Sequence, residues 1–288
     1  MGLNYQILWI FVLMLQSYLL FAQRAPSNQG MRLVWSDEFD RPGLPDTTRW
    51  TYHVGDGCDL PMGCGWGNQE LQYYTNARLE NARVEDGKLI IEAHKEDFES
   101  RQYTSARLIT QGRGAWRYGR IEIRAKVASV RGSWPAIWML PAAGAYGQGA
   151  YGGWPHSGEI DIMEHVGYMP DSIFANTHTF SHNGMRGNDK PGGIRIPNAK
   201  SEFHVFALEW YPDKLDFFVD GQKFHTYPKS DSYESWPFDQ PFYLVLNLAV
   251  GGGWGGKKGI DESAWPQRFE VDYVRVFQYH KNEKKSSR

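Results

Sequence analysis

The strongest constraint in this chain is a period of two. From Leu33 to His280 the apolar residues fall in short runs broken by turn residues, and no long segment keeps the 3.6-residue spacing of an amphipathic helix. In "RIEIRAKV", Ile121, Ile123, Ala125 and Val127 share one strand face and Glu122, Arg124 and Lys126 the other. The stretches "LVWSDEF", "ARVEDGKLIIEAHKE", "YGRIEIRAKVAS", "AIWMLP", "EIDIMEHV", "IFANTHTFS", "FHVFALEWYPDKLDFFVDGQKFHTY", "FYLVLNLAV" and "FEVDYVRVFQYH" read as strands, with "EDGK" and "VDGQ" as hairpin turns. No internal repeat interrupts them. The pattern predicts one all-β domain over residues 32–280, a sandwich or jelly roll.

Composition narrows what such a domain does. The net charge of -2 gives no basic footprint for nucleic acid. Aromatic residues make up 15% of the chain, with 12 Trp and 16 Tyr. They read as a Trp-rich core or, the preferred reading, as the lining of a cleft that stacks on the C–H faces of sugars. Residues 6–22, "QILWIFVLMLQSYLLFA", form a short apolar run ending at Ala22. It reads as a signal peptide over 1–22, although "MGLNYQ" carries no Lys or Arg. The run is shorter than the roughly 20 residues of a spanning helix, so the expectation is export to the periplasm or medium with no stable membrane insertion. Residues 23–31 then serve as a linker and 281–288 as a charged, solvated tail. The only cysteines, Cys58 and Cys64, stand in the Gly-rich "GCDLPMGCGWG". In an exported protein they read as a disulfide; two free thiols are the alternative.

The chemistry concentrates in "SGEIDIMEHVG", where Glu159, Asp161 and Glu164 fall within an otherwise apolar segment. On a regular strand Glu159 and Asp161 share a face and Glu164 points the other way. One extra residue, Ile162 or Met163, would form a β-bulge and return Glu164 to the face of the other two. Four strand steps of roughly 3.3 Å then separate the outer Cα atoms by about 13 Å, and two Glu side chains reaching roughly 4 Å each leave a gap near 5 Å. Retaining glycoside hydrolysis needs about 5–5.5 Å, inverting hydrolysis about 6.5–9.5 Å. One carboxylate would attack the anomeric carbon and the other, kept protonated, would serve the leaving oxygen, with Asp161 sharing a proton between them. Solvated surface acids are the plainer reading, against which Ile160, Ile162 and Val166 argue. The spacing matches neither a helical His pair nor a Ca²⁺ loop.

"GEIDIMEHVG" resembles the Glu-x-Asp-x-x-Glu motif of glycoside hydrolase family 16 in its laminarinase form. "WGNQELQYYT", "TSARLIT", "WRYGRIEIRAKV", "GSWPAIWMLP", "NTHTF", "LNLAVGGGW" and "FEVDYVRVF" are similar to that family's segments, in order. The resemblance implies a concanavalin A-like β-jelly roll with a substrate cleft on its concave face. It implies a retaining mechanism with Glu159 as nucleophile and Glu164 as acid/base, and no cofactor for catalysis. It places Trp134, Trp138 and Trp154 beside the cleaved bond and His178 toward the leaving group. Asn68 and Arg107 fall on positions that bind donor-side sugars, with Arg113 a nearby rival. Asn247 is either a buried polar group or a cleft residue, and Trp254 in "GGGWGG" reads as a rim. Many relatives carry a structural Ca²⁺ on the convex face, for which Glu38, Gly87 and Asp272 are the matching positions.

Three functional classes follow. The first is a secreted, monomeric endo-β-1,3-glucanase acting on laminarin-type polysaccharide. The second is a glycosidase or transglycosylase of the same fold acting on mixed-linkage glucan or algal galactan. The third, a non-catalytic β-glucan-binding protein, is disfavoured because both glutamates are present.

Overall fold

The computed structural model describes residues 30–279. The expected signal peptide, most of the linker and the C-terminal tail lie outside these residues. Among the described residues, no helix is long and apolar enough to cross a membrane. The strands in chain order are β1 (Met31–Asp37), β2 (Thr51–Tyr52), β3 (Gln72–Tyr74), β4 (Ala82–Glu85), β5 (Lys88–Phe98) and β6 (Arg101–Ser105). There follow β7 (Arg107–Ile109), β8 (Gly119–Lys126), β9 (Ser133–Pro141), β10 (Glu159–Glu164), β11 (Ser172–His178) and β12 (Gly192–Arg195). The last five are β13 (His204–Trp210), β14 (Lys214–Val219), β15 (Gln222–Pro228), β16 (Phe242–Val250) and β17 (Gln267–Tyr279).

They form the two sheets of a β-jelly-roll sandwich. One runs β15-β14-β13-β8-β17-β5-β6-β3, with β1 added to β17 and β4 to β5. The other, which carries the carboxylates, runs β12-β11-β10-β9-β16-β7-β2. Both predicted hairpin turns are present, with Asp86-Gly87 and Asp220-Gly221 in the left-handed conformation that a two-residue loop requires.

Alternation builds the core. Ile121, Ile123, Val274, Val276 and Leu208 from one sheet meet Ile137, Met139, Ile160, Ile162, Leu244 and Leu246 from the other, all fully buried. Each such side chain contributes roughly 1.5–3 kcal/mol by leaving water. On β8 a one-residue slip would exchange Ile121 and Ile123 for Glu122 and Arg124, so the register is firmly set there. With the inner face of the seven-stranded sheet spent on the core, its outer face is free. There a smaller apolar cluster of Ile109, Leu140, Tyr243 and Val245 supports Trp138 and Trp154 from below.

Candidate active site

The site begins with the bulge on β10. Against β9, Asp161 pairs with Trp138 and Met163 with Ile137; against β11, Asp161 pairs with Asn176 and Glu164 with Phe174. Ile162 is therefore the extra residue, not Met163. Both are fully buried, so the bulge lets two consecutive apolar side chains reach the core. It also keeps Glu164 out of that core, where an unpaired carboxylate would cost several kcal/mol. Glu159, Asp161 and Glu164 all face the outer side of the sheet.

Their surroundings differ. The Trp154 indole Nε1 donates to Glu159 Oε2 at 2.8 Å, and the Trp134 Nε1 donates to Glu164 Oε1 at 3.1 Å. Burial, reinforced by the charge of Glu159 and opposed by the Trp134 hydrogen bond, pushes Glu164 up to about 8. Asp161 lies between them, only 2% exposed. Burial first, then the neighbouring Glu159 and Glu164, hold its carboxyl well above the usual range. Its buried Oδ2 accepts no hydrogen bond, as suits a carboxyl that keeps a proton. At neutral pH Glu164 is thus a proton donor beside a second carboxyl on the same strand.

Toward β7 the site becomes a fixed polar network. The Trp138 Nε1 donates to Asn247 Oδ1 at 2.6 Å, and Asn247 Nδ2 donates to the Tyr74 hydroxyl at 3.0 Å. Tyr74 donates to Glu70 Oε2 at 3.2 Å, and Glu70 also accepts from Gln72 at 2.7 Å and Asn68 at 3.2 Å. Asn247 is therefore both buried and a cleft residue. Arg107 is buried between two indoles, its Cζ 4.7 Å from the Trp66 ring and 4.5 Å from that of Trp138. Its buried Nε has no partner, and among the described residues no carboxylate forms an ion pair with it. Its charge acts on Glu70, whose carboxyl burial raises and Arg107 lowers. The rival Arg113 is exposed and donates to the Thr47 carbonyl at 3.0 Å, away from this network.

On the other side, His178 pairs with Glu159 across β10 and β11. Its Nε2 stands 3.4 Å from Asp161 Oδ2 and 3.9 Å from Glu159 Oε1. The Gly184 N–H donates to its Nδ1 at 3.2 Å, which leaves Nε2 to carry the proton toward the carboxyls. Asn176 donates to Asp189 Oδ2 at 2.9 Å, and the Asp189 charge adds to those that raise Asp161 and Glu164. Trp66, Glu70, Asn176 and Asp189 escaped the sequence reading. Parity marks Asn176, two residues before His178; no local pattern marks Asp189.

The remaining predicted residues lie apart. Cys58 and Cys64 are joined in a disulfide, six positions apart in the chain. The loop after it is tied to the site, since the Asn68 carbonyl accepts from Gly253 at 2.7 Å beside Trp254. Glu38, Gly87 and Asp272 lie beside β1, beside β5 and on β17 of the other sheet. There β17 leaves β5 after Val271–Leu89 and joins β1 at Val274–Asp37, with Asp272 bulged between. Carboxylate and carbonyl oxygens of this kind are the donors that Ca²⁺ takes. In the structure the Glu38 carboxylate accepts from Arg275 at 2.7 and 3.0 Å, and Asp272 pairs with Arg124 at 2.5 Å. A cation there would take over both carboxylates from these arginines.

A protonated Glu and a second Glu flanking a shared Asp, on an open face walled by indoles, is the apparatus of a glycoside hydrolase. The comparisons narrow this. The model of glycosyl hydrolases family 16 matches residues 68–275, and the chain belongs to that family. It is 51% identical over 267 residues to a beta-glucanase of Rhodothermus marinus, covering 91% of this chain and 90% of that one. It is 37% identical to a glucan endo-1,3-beta-glucosidase of Cryptopygus antarcticus, covering 91% of this chain and 97% of the relative. The X-ray structure of the laminarinase from Rhodothermus marinus superposes with a TM-score of 0.81 at 52% identity, covering 87% of this chain and 98% of that one.

Proposed function

We propose that this protein is an endo-acting β-1,3-glucanase that cleaves laminarin-type polysaccharide with retention. The observation that carries the proposal is the unequal pair on β10, with Glu164 held protonated by burial beside Glu159. The Glu159 carboxylate attacks the anomeric carbon while Glu164 gives its proton to the departing glycosidic oxygen. A glycosyl-enzyme ester results. Glu164, now a carboxylate, takes a proton from water, whose oxygen attacks the same carbon and releases Glu159. Asp161 and His178 orient Glu159; Trp154 holds it through one oxygen.

Names of relatives that act on β-1,3-glucan support the substrate reading. So does the shape of the site, because a β-1,3-glucan curves and the indoles come from three segments, Trp66 before β3, Trp134 and Trp138 on β9 and Trp154 before β10, that can follow it. The protein acts after export, a reading that rests on residues 6–22 and on the disulfide, and is read as a monomer. A Ca²⁺ ion held by the carboxylates of Glu38 and Asp272 and the carbonyl of Gly87 would brace the sandwich far from the chemistry.

A polysaccharide panel tests the proposal. Laminarin should yield several oligosaccharide sizes early, mixed-linkage β-glucan should be cut more slowly, and cellulose not at all. Glu159→Ala should lower turnover by at least about 10³-fold, roughly 4 kcal/mol, and azide should restore cleavage of an activated glycoside with inverted product. Glucose as the only early product would remove the endo claim.

A further inference from the structure

The loop between β11 and β12 is tightly braced. Asn183 donates through Nδ2 to the Thr179 carbonyl at 2.9 Å, and its Oδ1 accepts from the Arg186 N–H at 3.2 Å. Asn188 donates to the Ser181 carbonyl at 2.9 Å and accepts from the Asn183 N–H at 3.2 Å. So fixed, the loop meets the acid cluster at two points. The Gly184 N–H rests on His178 Nδ1, and Asp189 Oδ2 accepts from Asn176 Nδ2. Asn176 stands opposite Asp161 in the register of β10 and β11 and is 5% exposed. Asp189 therefore brings a fourth carboxylate, from outside the strand, beside the three on β10.

A solvated loop acid is the plainer reading. Against it, Asp189 is half-buried and held by a buried amide. Among the described residues, no ion pair includes it. A carboxylate set beside other acids without a cation costs the fold stability through like-charge repulsion, and such arrangements recur where a proton is being held for chemistry. Few charged groups surround Glu164. Its own strand supplies Glu159 and Asp161, β11 supplies His178, and the loop supplies Asp189. β9 offers the Trp134 N–H and β16 the neutral Asn247, while the charge of Arg107 on β7 acts on Glu70. Burial is the first cause of the raised Glu164 carboxyl and Glu159 the second; Asp189 adds to them, against the Trp134 hydrogen bond.

We propose that Asp189 is a positioning residue for the acid/base step: the loop holds its carboxylate, through Asn176, where it keeps Glu164 in the proton-donating form. This role rests on the proposed glucanase reading, in which Glu164 is the acid/base. One charge serves both halves of the reaction. It retains the proton on Glu164 before the glycosidic bond breaks, and it makes the Glu164 carboxylate readier to take a proton from water afterwards.

Asp189→Asn tests the role, because the amide oxygen can still accept from Asn176 while the charge is gone. Titration of the glutamate δ-carboxyl carbons by ¹³C NMR, without substrate, gives the Glu164 midpoint; its resonance is the one missing from Glu164→Gln. Losing a like charge favours the ionised form, so in Asp189→Asn the midpoint should move down by about half a pH unit or more. The alkaline limb of kcat on laminarin should move down with it, with kcat on the acid side and KM little changed. Asp189→Glu, which keeps the charge, should move both less. The melting temperature of Asp189→Asn should not fall, since repulsion is removed. An unmoved Glu164 midpoint would overturn the role. So would a loss of kcat uniform in pH, which marks a merely structural part, or a rise in KM alone, which marks a sugar ligand. A midpoint that moves while the alkaline limb stays would uphold the coupling and remove Glu164 as the acid, so the two readings fail separately.

Discussion

The two sides of Glu164 are built on different principles. On the Arg107 side a buried cation is clamped between two indoles, and a chain of hydrogen bonds runs from Trp138 through Asn247 and Tyr74 to Glu70. On the Phe174 side stand partly exposed rings. Polar groups fixed in advance lose little freedom when sugar arrives, so their binding energy can act on the reacting ring in the transition state. Loose aromatic contact suits a product that must leave.

The boundary between the sides is Glu164, and changing it should have the largest effect. Glu164→Gln should lower turnover of laminarin by at least about 10²-fold, while β-laminaribiosyl fluoride, whose leaving group needs no proton, should suffer far less. In the wild-type protein, laminarin cleavage should fall as pH rises through about 8, where Glu164 loses its proton. The same variant should be more stable. The folded-state pKa of Glu164 lies above its unfolded value of about 4.3, so the folded state binds the proton more tightly and stability declines as pH rises between the two values. At neutral pH the amide should therefore add roughly 1–2 kcal/mol, visible as a higher melting temperature. A lower one would mean that ionising this carboxyl carries no cost in the fold.

Trp138→Ala comes next. It removes the donor to Asn247 and one face of the Arg107 clamp, so kcat/KM should fall by more than about tenfold, roughly 1.4 kcal/mol. The loss should be alike on laminarin and on the fluoride, since both place sugars on this side. A loss confined to laminarin would collapse the distinction between the two halves of the cleft. The smallest effect belongs to the remote junction. Removing Ca²⁺ with a chelator should lower the melting temperature by about 2–4 °C for each kcal/mol of binding free energy lost. Rates at mild temperature should not change. Coincident melting curves would remove the ion from Glu38, Gly87 and Asp272.

The sequence discloses those parts of the molecule that are long and regular. Strands such as β8, β13, β16 and β17 announce themselves through alternation or sustained apolar runs, and so does the placement of Trp134 and Trp138 on one face. The short strands β2, β3, β7 and β12 do not. β7 is the three residues Arg107–Ile109, all buried, including its arginine, and β12 is the Gly-rich "GGIR". Nothing local separates them from loop, because their order comes from partners distant in the chain. The same limit applies within the site. The three acids are conspicuous in an apolar run, but the choice between Ile162 and Met163 as the extra residue depends on register with β9 and β11. Arg107 and Arg113 look alike until Trp66 and Trp138 close around one of them. Phe174 and Asn176 were within reach, since they share parity with His178.

The bulge at Ile162 makes the strand carry a phase as well as a composition. Upstream of it, odd-numbered residues face the cleft; downstream, Glu164 does so on an even number. A substitution at Ile162 would be felt in degrees, as a cavity or a crowded neighbour. Flattening the bulge with every residue kept would be felt all at once, because the beat would run on unbroken and turn Glu164 toward the core and Met163 outward, whereas deleting Ile162 would keep Glu164 on the side of Asp161 and only bring it closer to Glu159. The direction of Glu164 is thus set by the bulge as well as by the residue's place in the chain, and the bulge also sets how far it stands from Glu159.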